Sequence, residues 1–91
     1  MTALDGVLVA AELVEYIGAE RVASVDVSDY THTIGVQFHD AEDGNRAAAE
    51  NRAKAKKTFP DSDLPFQTWE SARDGWTVIW YGAYKPEVVT R

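Results

Sequence analysis

The stretch LPFQTWESARDGWTVIWYGAY, residues 64–84, decides how the rest of the chain is read. Asp74-Gly75 is the strongest hairpin signal in the sequence, because a tight turn between twisted strands needs residues that tolerate positive φ. It predicts strands over Leu64–Ser71 and Trp76–Tyr84 around Ala72-Arg73-Asp74-Gly75. Any even-length loop puts Trp69 on the same face as Trp76, Val78 and Trp80, while Leu64, Phe66, Ile79, Tyr81 and Ala83 share the other. Both faces are apolar. A strand pair with one core to build needs one apolar side, so the second must be covered by another part of the fold, a second copy or a partner.

Outward from the hairpin, the chain is short: 91 residues are expected to form one α+β domain spanning 1–91. Hydrophobic content of 45% with 26% charged residues suits a folded chain. Fifteen acidic residues against nine basic ones give a formal charge of −6, which repels nucleic-acid backbones and anionic lipid at long range. There is no cysteine, hence no disulfide, thiolate nucleophile or Cys-based zinc site, and a reducing, cytoplasmic setting is expected. The apolar run Val7–Ala11 follows Asp5 and is interrupted by Glu12 and Glu15, which argues against a signal sequence or a membrane span.

Upstream of the hairpin, Val7, Ala10, Ala11, Val14 and Ile17 recur at helical spacing, widened by Leu8 and Leu13, and predict a helix over Asp5–Ile17 that ends at Gly18. From Arg21 to Ser28 and from His32 to His39 the period changes to two, predicting a second hairpin across Asp29-Tyr30-Thr31-His32. Its register sets Val27 against Ile34, Val25 against Val36 and Ala23 against Phe38, so that the two dry faces coincide. Asp40 is a good N-cap, with acids in the following turn and Lys54, Lys56 and Lys57 further on. These features predict a helix to about Thr58, closed by Phe59, with its alanines against the sheet.

The expected architecture is therefore αββαββ: two helices on one face of a four-stranded antiparallel sheet, strand order 1-2-4-3. It resembles in shape a circularly permuted ferredoxin-like fold, a likeness that carries no function. The helices can cover one face only. That face is assigned Val25, Val27, Ile34, Val36, Leu64, Phe66, Ile79 and Tyr81, which leaves the tryptophans outside. The opposite arrangement buries Trp76, Val78 and Trp80 under the helices and exposes Ile79 and Tyr81.

On the first arrangement the expected function is a non-enzymatic protein-interaction module, an adaptor or inhibitor that binds a protein partner or its own copy as a homodimer. Trp69, Trp76 and Trp80, with Val78, are its anchors; Glu70, Arg73 and Asp74 form the polar margin. The alternative is a small-molecule or catalytic domain with Tyr30, His39 and the tryptophans lining a cavity between sheet and helices. Single-stranded RNA ranks below both, because the basic aromatic signature of the RNA-recognition module is missing and the net charge opposes it. His39 beside Asp40 reads as a strand end followed by a cap. Asp26, Asp29 and His32, and Asp61 with Asp63, lack the further ligands a metal needs, and the glycines form no phosphate-binding spacing. No cofactor, metal or catalytic residue is expected.

Overall fold

The structure is a computed structural model and describes residues 2–84. Helix α1, Ala3–Ile17, begins at a reciprocal cap: the Thr2 N–H donates to Asp5 Oδ2 at 2.8 Å, and the Asp5 N–H donates to the Thr2 hydroxyl at 3.4 Å. It ends at Gly18, whose φ of 113° is open to glycine and whose N–H closes on the Val14 carbonyl at 2.9 Å. A single 3₁₀ turn, Ala19–Arg21, leads into β1, Val22–Ser28, which pairs antiparallel with β2, Thr33–Phe38. The foreseen pairs Val27–Ile34 and Val25–Val36 form. A bulge at Ala23 puts Val22, not Ala23, opposite Phe38.

Helix α2, Ala41–Glu50, is capped by the Asp40 carboxylate, which accepts from the Glu42 N–H at 3.0 Å. It stops well short of Thr58. The Ala53 N–H reaches back to the Ala48 carbonyl at 2.9 Å and the Arg52 N–H to the Ala49 carbonyl at 3.1 Å, with Arg52 in the left-handed conformation at φ 56°. This is the closing pattern that glycine usually supplies, here carried by an arginine. The lysines expected to complement a helix dipole lie instead on β3, Lys54–Phe59, an edge strand whose every residue is exposed. Strands β4, Phe66–Arg73, and β5, Trp76–Ala83, follow. They are joined by a two-residue turn, Asp74-Gly75 at φ 50° and 85°, so that Ala72 and Arg73, expected in a four-residue loop, extend β4 instead.

The result is α+β with two helices and a five-stranded mixed sheet of order β1-β2-β5-β4-β3, in place of four antiparallel strands. One cause explains both differences. Ending α2 early frees residues for an extra strand, and each added strand reverses the direction of everything after it. Strand β5 therefore runs parallel to β2, with Ile34 beside Val78 and Val36 beside Trp80.

Both helices lie on one face: α1 over β1 and the edge of β2, α2 along β5. The core comprises Ala10, Leu13, Ile34, Val36, Ala47, Ala48, Trp76, Val78 and Trp80. Trp76 and Trp80 are 1% exposed, which corrects the assignment of an outward tryptophan face. Val25, Val27, Ile34 and Val36 do belong beneath the helices, whereas Phe66, Ile79 and Tyr81 turn to the open face and Leu64 is exposed outside any strand. Volume explains the choice. Apart from Leu13, the buried helix residues that meet the sheet are small, Gly6, Ala10, Gly44, Ala47 and Ala48, which suits bulky side chains on the sheet beneath α1 and α2. Gly44 approaches so near that a Cβ there would collide with the Tyr81 carbonyl oxygen.

Candidate binding surfaces

The seven residues expected to bind a partner do not form one surface. Trp76, Val78 and Trp80 are core, and the Trp80 indole N–H donates to the Ser71 hydroxyl at 2.9 Å. Trp69, opposite Trp80, shares their face and is partly buried. Arg73 lies on that face too, opposite Trp76. Glu70 pairs with Ile79 and Lys54 and lies on the other face, and Asp74 sits exposed in the turn. No exposed indole pair remains to anchor a partner, because these rings fill the gap beneath the helices.

The alternative cavity between sheet and helices, lined by Tyr30, His39 and the tryptophans, does not form either. Tyr30 is 98% exposed and His39 is an exposed strand end. His32 Nε2 lies 3.8 Å from Asp29 Oδ1 across the hairpin loop. Among the described residues, no group of three or more His, Cys, Asp or Glu side chains is placed to hold a metal.

Three other surfaces stand out. On the open sheet face, the Phe59 and Phe66 rings stack at 4.4 Å and Phe66 lies 6.0 Å from Tyr81. On the helix face, among the described residues, neither helix reaches over β3. A concavity of about 630 Å³ opens there, lined by Asn45, Ala55, Thr58, Gln67, Trp69, Ala83 and Tyr84. The third surface lies on α1. Its inner stripe, Gly6, Ala10 and Leu13, is buried. A second apolar stripe, Leu4, Val7, Leu8, Ala11 and Val14, repeats the spacing on the flank. Leu4 is 66%, Val7 49% and Leu8 59% exposed. Val7, Ala11 and Val14 also line a groove of about 490 Å³ whose floor is Val25 and Val27 of β1. Since β1 is the sheet edge, this flank looks outward, away from α2. The sequence carried the signal, two interleaved apolar spacings in one helix, but a single broad stripe accounts for the same residues.

Charge is unevenly divided between the two ends of the sheet. Around α1 and β1 stand Asp5, Glu12, Glu15, Glu20, Asp26 and Asp29. The basic residue among them, Arg21, is engaged by Asp43 at 3.5 Å. The opposite edge strand, β3, carries Lys54, Lys56 and Lys57 and no acid of its own, although Glu70 of β4 lies opposite Lys54 and Asp61 and Asp63 follow in the loop. Asp43 also pairs with Arg46, which raises the affinity of that guanidinium for its proton. The Thr2 backbone N–H holds the Asp5 carboxyl below its ordinary range, outweighing a small opposing effect of burial. Among the described residues, no helix is long and apolar enough to cross a membrane. No protein family model, curated protein or solved structure matches this chain.

Proposed function

We propose that this chain is a non-enzymatic protein-interaction module, and that its contact surface is the outer flank of α1 with the groove beside β1, in place of the tryptophan face. The observation that carries this reading is the second aliphatic stripe of α1. Scattered exposed leucines need no explanation, but Leu4, Val7 and Leu8 are contiguous, continue through Ala11 and Val14, and open onto an apolar groove. Such a flank, rimmed by Glu12 and Glu15, has the usual form of a docking site: an apolar centre with a polar margin.

The test is site-specific photocrosslinking in the producing cell, with a photoreactive amino acid at position 8. Controls are placed at position 30 on the loop and position 33 on the open sheet face. Adduct formation confined to position 8, and abolished by Leu4→Ser with Val7→Ser, is the expected result. Equal labelling at position 30 or 33, or none at position 8, overturns the assignment. The adduct mass tells a second copy from another protein.

A further inference from the structure

Resting on that reading of the α1 flank, we propose that its occupant is the opposite end of a second copy, so that the chain assembles head to tail through β1 of one copy and β3 of the next. Three independent features of the two sheet edges fit each other. The first is charge: Glu15, Asp26 and Asp29 stand at the β1 end, while the β3 strand itself carries Lys54, Lys56 and Lys57, with Glu70 of β4 behind Lys54 and Asp61 and Asp63 in the loop beyond its end. Lysines on a bare edge ordinarily keep edges apart, but here the other edge of the same sheet supplies the carboxylates that neutralise them.

The second feature is shape. Among the described residues, the helix layer covers the β1 end, where α1 projects Leu4, Val7 and Leu8 outward, and no helix covers the β3 end, where the concavity beside Ala55, Thr58 and Trp69 lies. Setting β1 beside β3 of a neighbour, with the helices of both copies on the same side, places the α1 flank over that gap. The third feature is direction. Strands β2 and β5 are parallel and every other neighbouring pair is antiparallel, so β1 and β3 run in opposite senses. Two copies in the same orientation therefore present β3 antiparallel to β1, the ordinary pairing for an added strand. The bulge at Ala23 confines the run available on β1 to Ser24–Ser28.

A two-fold dimer is disfavoured by the same charges. A two-fold pairing of β1 centred on Ser24–Ser28 sets Asp26 against its own copy, and pairing β3 with its copy sets lysine against lysine. The contact is heterologous, and the assembly is a ring or a filament according to how the sheet twist accumulates.

Sedimentation velocity on the full chain tests this at two protein concentrations, in low salt and in about 1 M salt, where the screening length is about 3 Å. The expected result is a mass that grows with concentration at low salt and shrinks at high salt. Two charge-reversed variants decide the geometry: Lys54→Glu with Lys56→Glu and Lys57→Glu, and Glu15→Lys with Asp26→Lys and Asp29→Lys, each checked for native circular dichroism. Each variant alone is expected to associate at least roughly tenfold more weakly, and an equimolar mixture to recover association, since each then meets an edge of opposite sign. Because the chain has no cysteine, Leu8→Cys mixed with Ala55→Cys should form a covalent dimer on oxidation, and Thr33→Cys, on the open face of the inner strand β2, with Ala55→Cys should not. A wild-type monomer at every concentration in low salt overturns the proposal, as does a closed dimer unaffected by the lysine reversals. A monomer that still crosslinks from position 8 to a different protein removes the head-to-tail contact alone. A monomer with no adduct at position 8 removes the docking flank as well.

Discussion

Gly6 of α1 lies directly over Trp76 of β5: a Cβ built at Gly6 would meet Trp76 Cη2 at 2.6 Å and Val27 Cγ1 at the same distance. A glycine in a helix interior lowers helical stability by about 1 kcal/mol relative to alanine, so its presence reflects how closely the helix approaches the indole. Gly6→Ala is expected to destabilise the protein by a net of up to about 2 kcal/mol, because overpacking of about 1–3 kcal/mol offsets or exceeds the gain in helix propensity of about 1 kcal/mol. Gly44→Ala should be worse, since the obstructing atom is the Tyr81 backbone oxygen, which cannot rotate away. Urea unfolding midpoints at unchanged slope measure both.

Burial of the tryptophans leads to a second expectation. Trp80→Ala should lower the unfolding free energy by about 3–5 kcal/mol, a loss large enough to threaten folding of a chain this size. The indole N–H relies on Ser71, so Ser71→Ala should remove about 1–3 kcal/mol by leaving that donor unpaired. In a Trp80→Phe background the same serine substitution should matter much less, and a double-mutant cycle reads the coupling.

Arg52 holds a left-handed conformation in the cap that ends α2. Glycine adopts that conformation without steric penalty but loses more freedom on folding, so Arg52→Gly is expected to raise stability modestly, by about 0.5 kcal/mol. Arg52→Val should lower it by about 1 kcal/mol or more, because a β-branched side chain tolerates positive φ least. Thermal unfolding of the pair against wild type gives opposite signs if the cap sets the end of the helix.

The N-terminus of α1 should respond to acid. The folded-state pKa of Asp5 is depressed, chiefly by the hydrogen bond from the Thr2 N–H, so its stabilising contribution is present above the unfolded value of about 3.9. It is lost as pH falls through the lower folded value. Helicity at residues 3–6, followed by NMR chemical shifts, should therefore decline from about pH 4 downward. Asp5→Asn should flatten that decline while leaving the Gly18 end of the helix unchanged.

Much of this fold was readable along the chain. Asp74-Gly75 announced a tight hairpin, and the even loop kept Trp69, Trp76, Val78 and Trp80 on one face, as expected. The four residues 29–32 fixed the first hairpin, and Gly18 and Asp40 marked helix ends with local chemistry, whereas the Thr2-Asp5 cap, which starts α1 at Ala3 and not at Asp5, went unread. The missed boundary at Glu50 has an equally local cause: an arginine occupies the left-handed position where glycine would have signalled a stop. With that signal silent, the lysines after it suit a helix end and an edge strand equally well. The candidate site depended on the same ambiguity, since the polar margin Glu70, Arg73 and Asp74 was drawn around indoles that the helices cover.

Local sequence determined the period of each segment, its turns and the grouping of side chains into faces, because these follow from interactions a few residues apart. It could not determine which apolar face of β5 turns inward, since period-two alternation is satisfied by either. Tertiary structure decided that by volume: Gly6, Ala47 and Ala48 leave room beneath the helices that tryptophan fills and isoleucine does not. It also set α1 at the sheet edge, where Leu4, Val7 and Leu8 stay exposed.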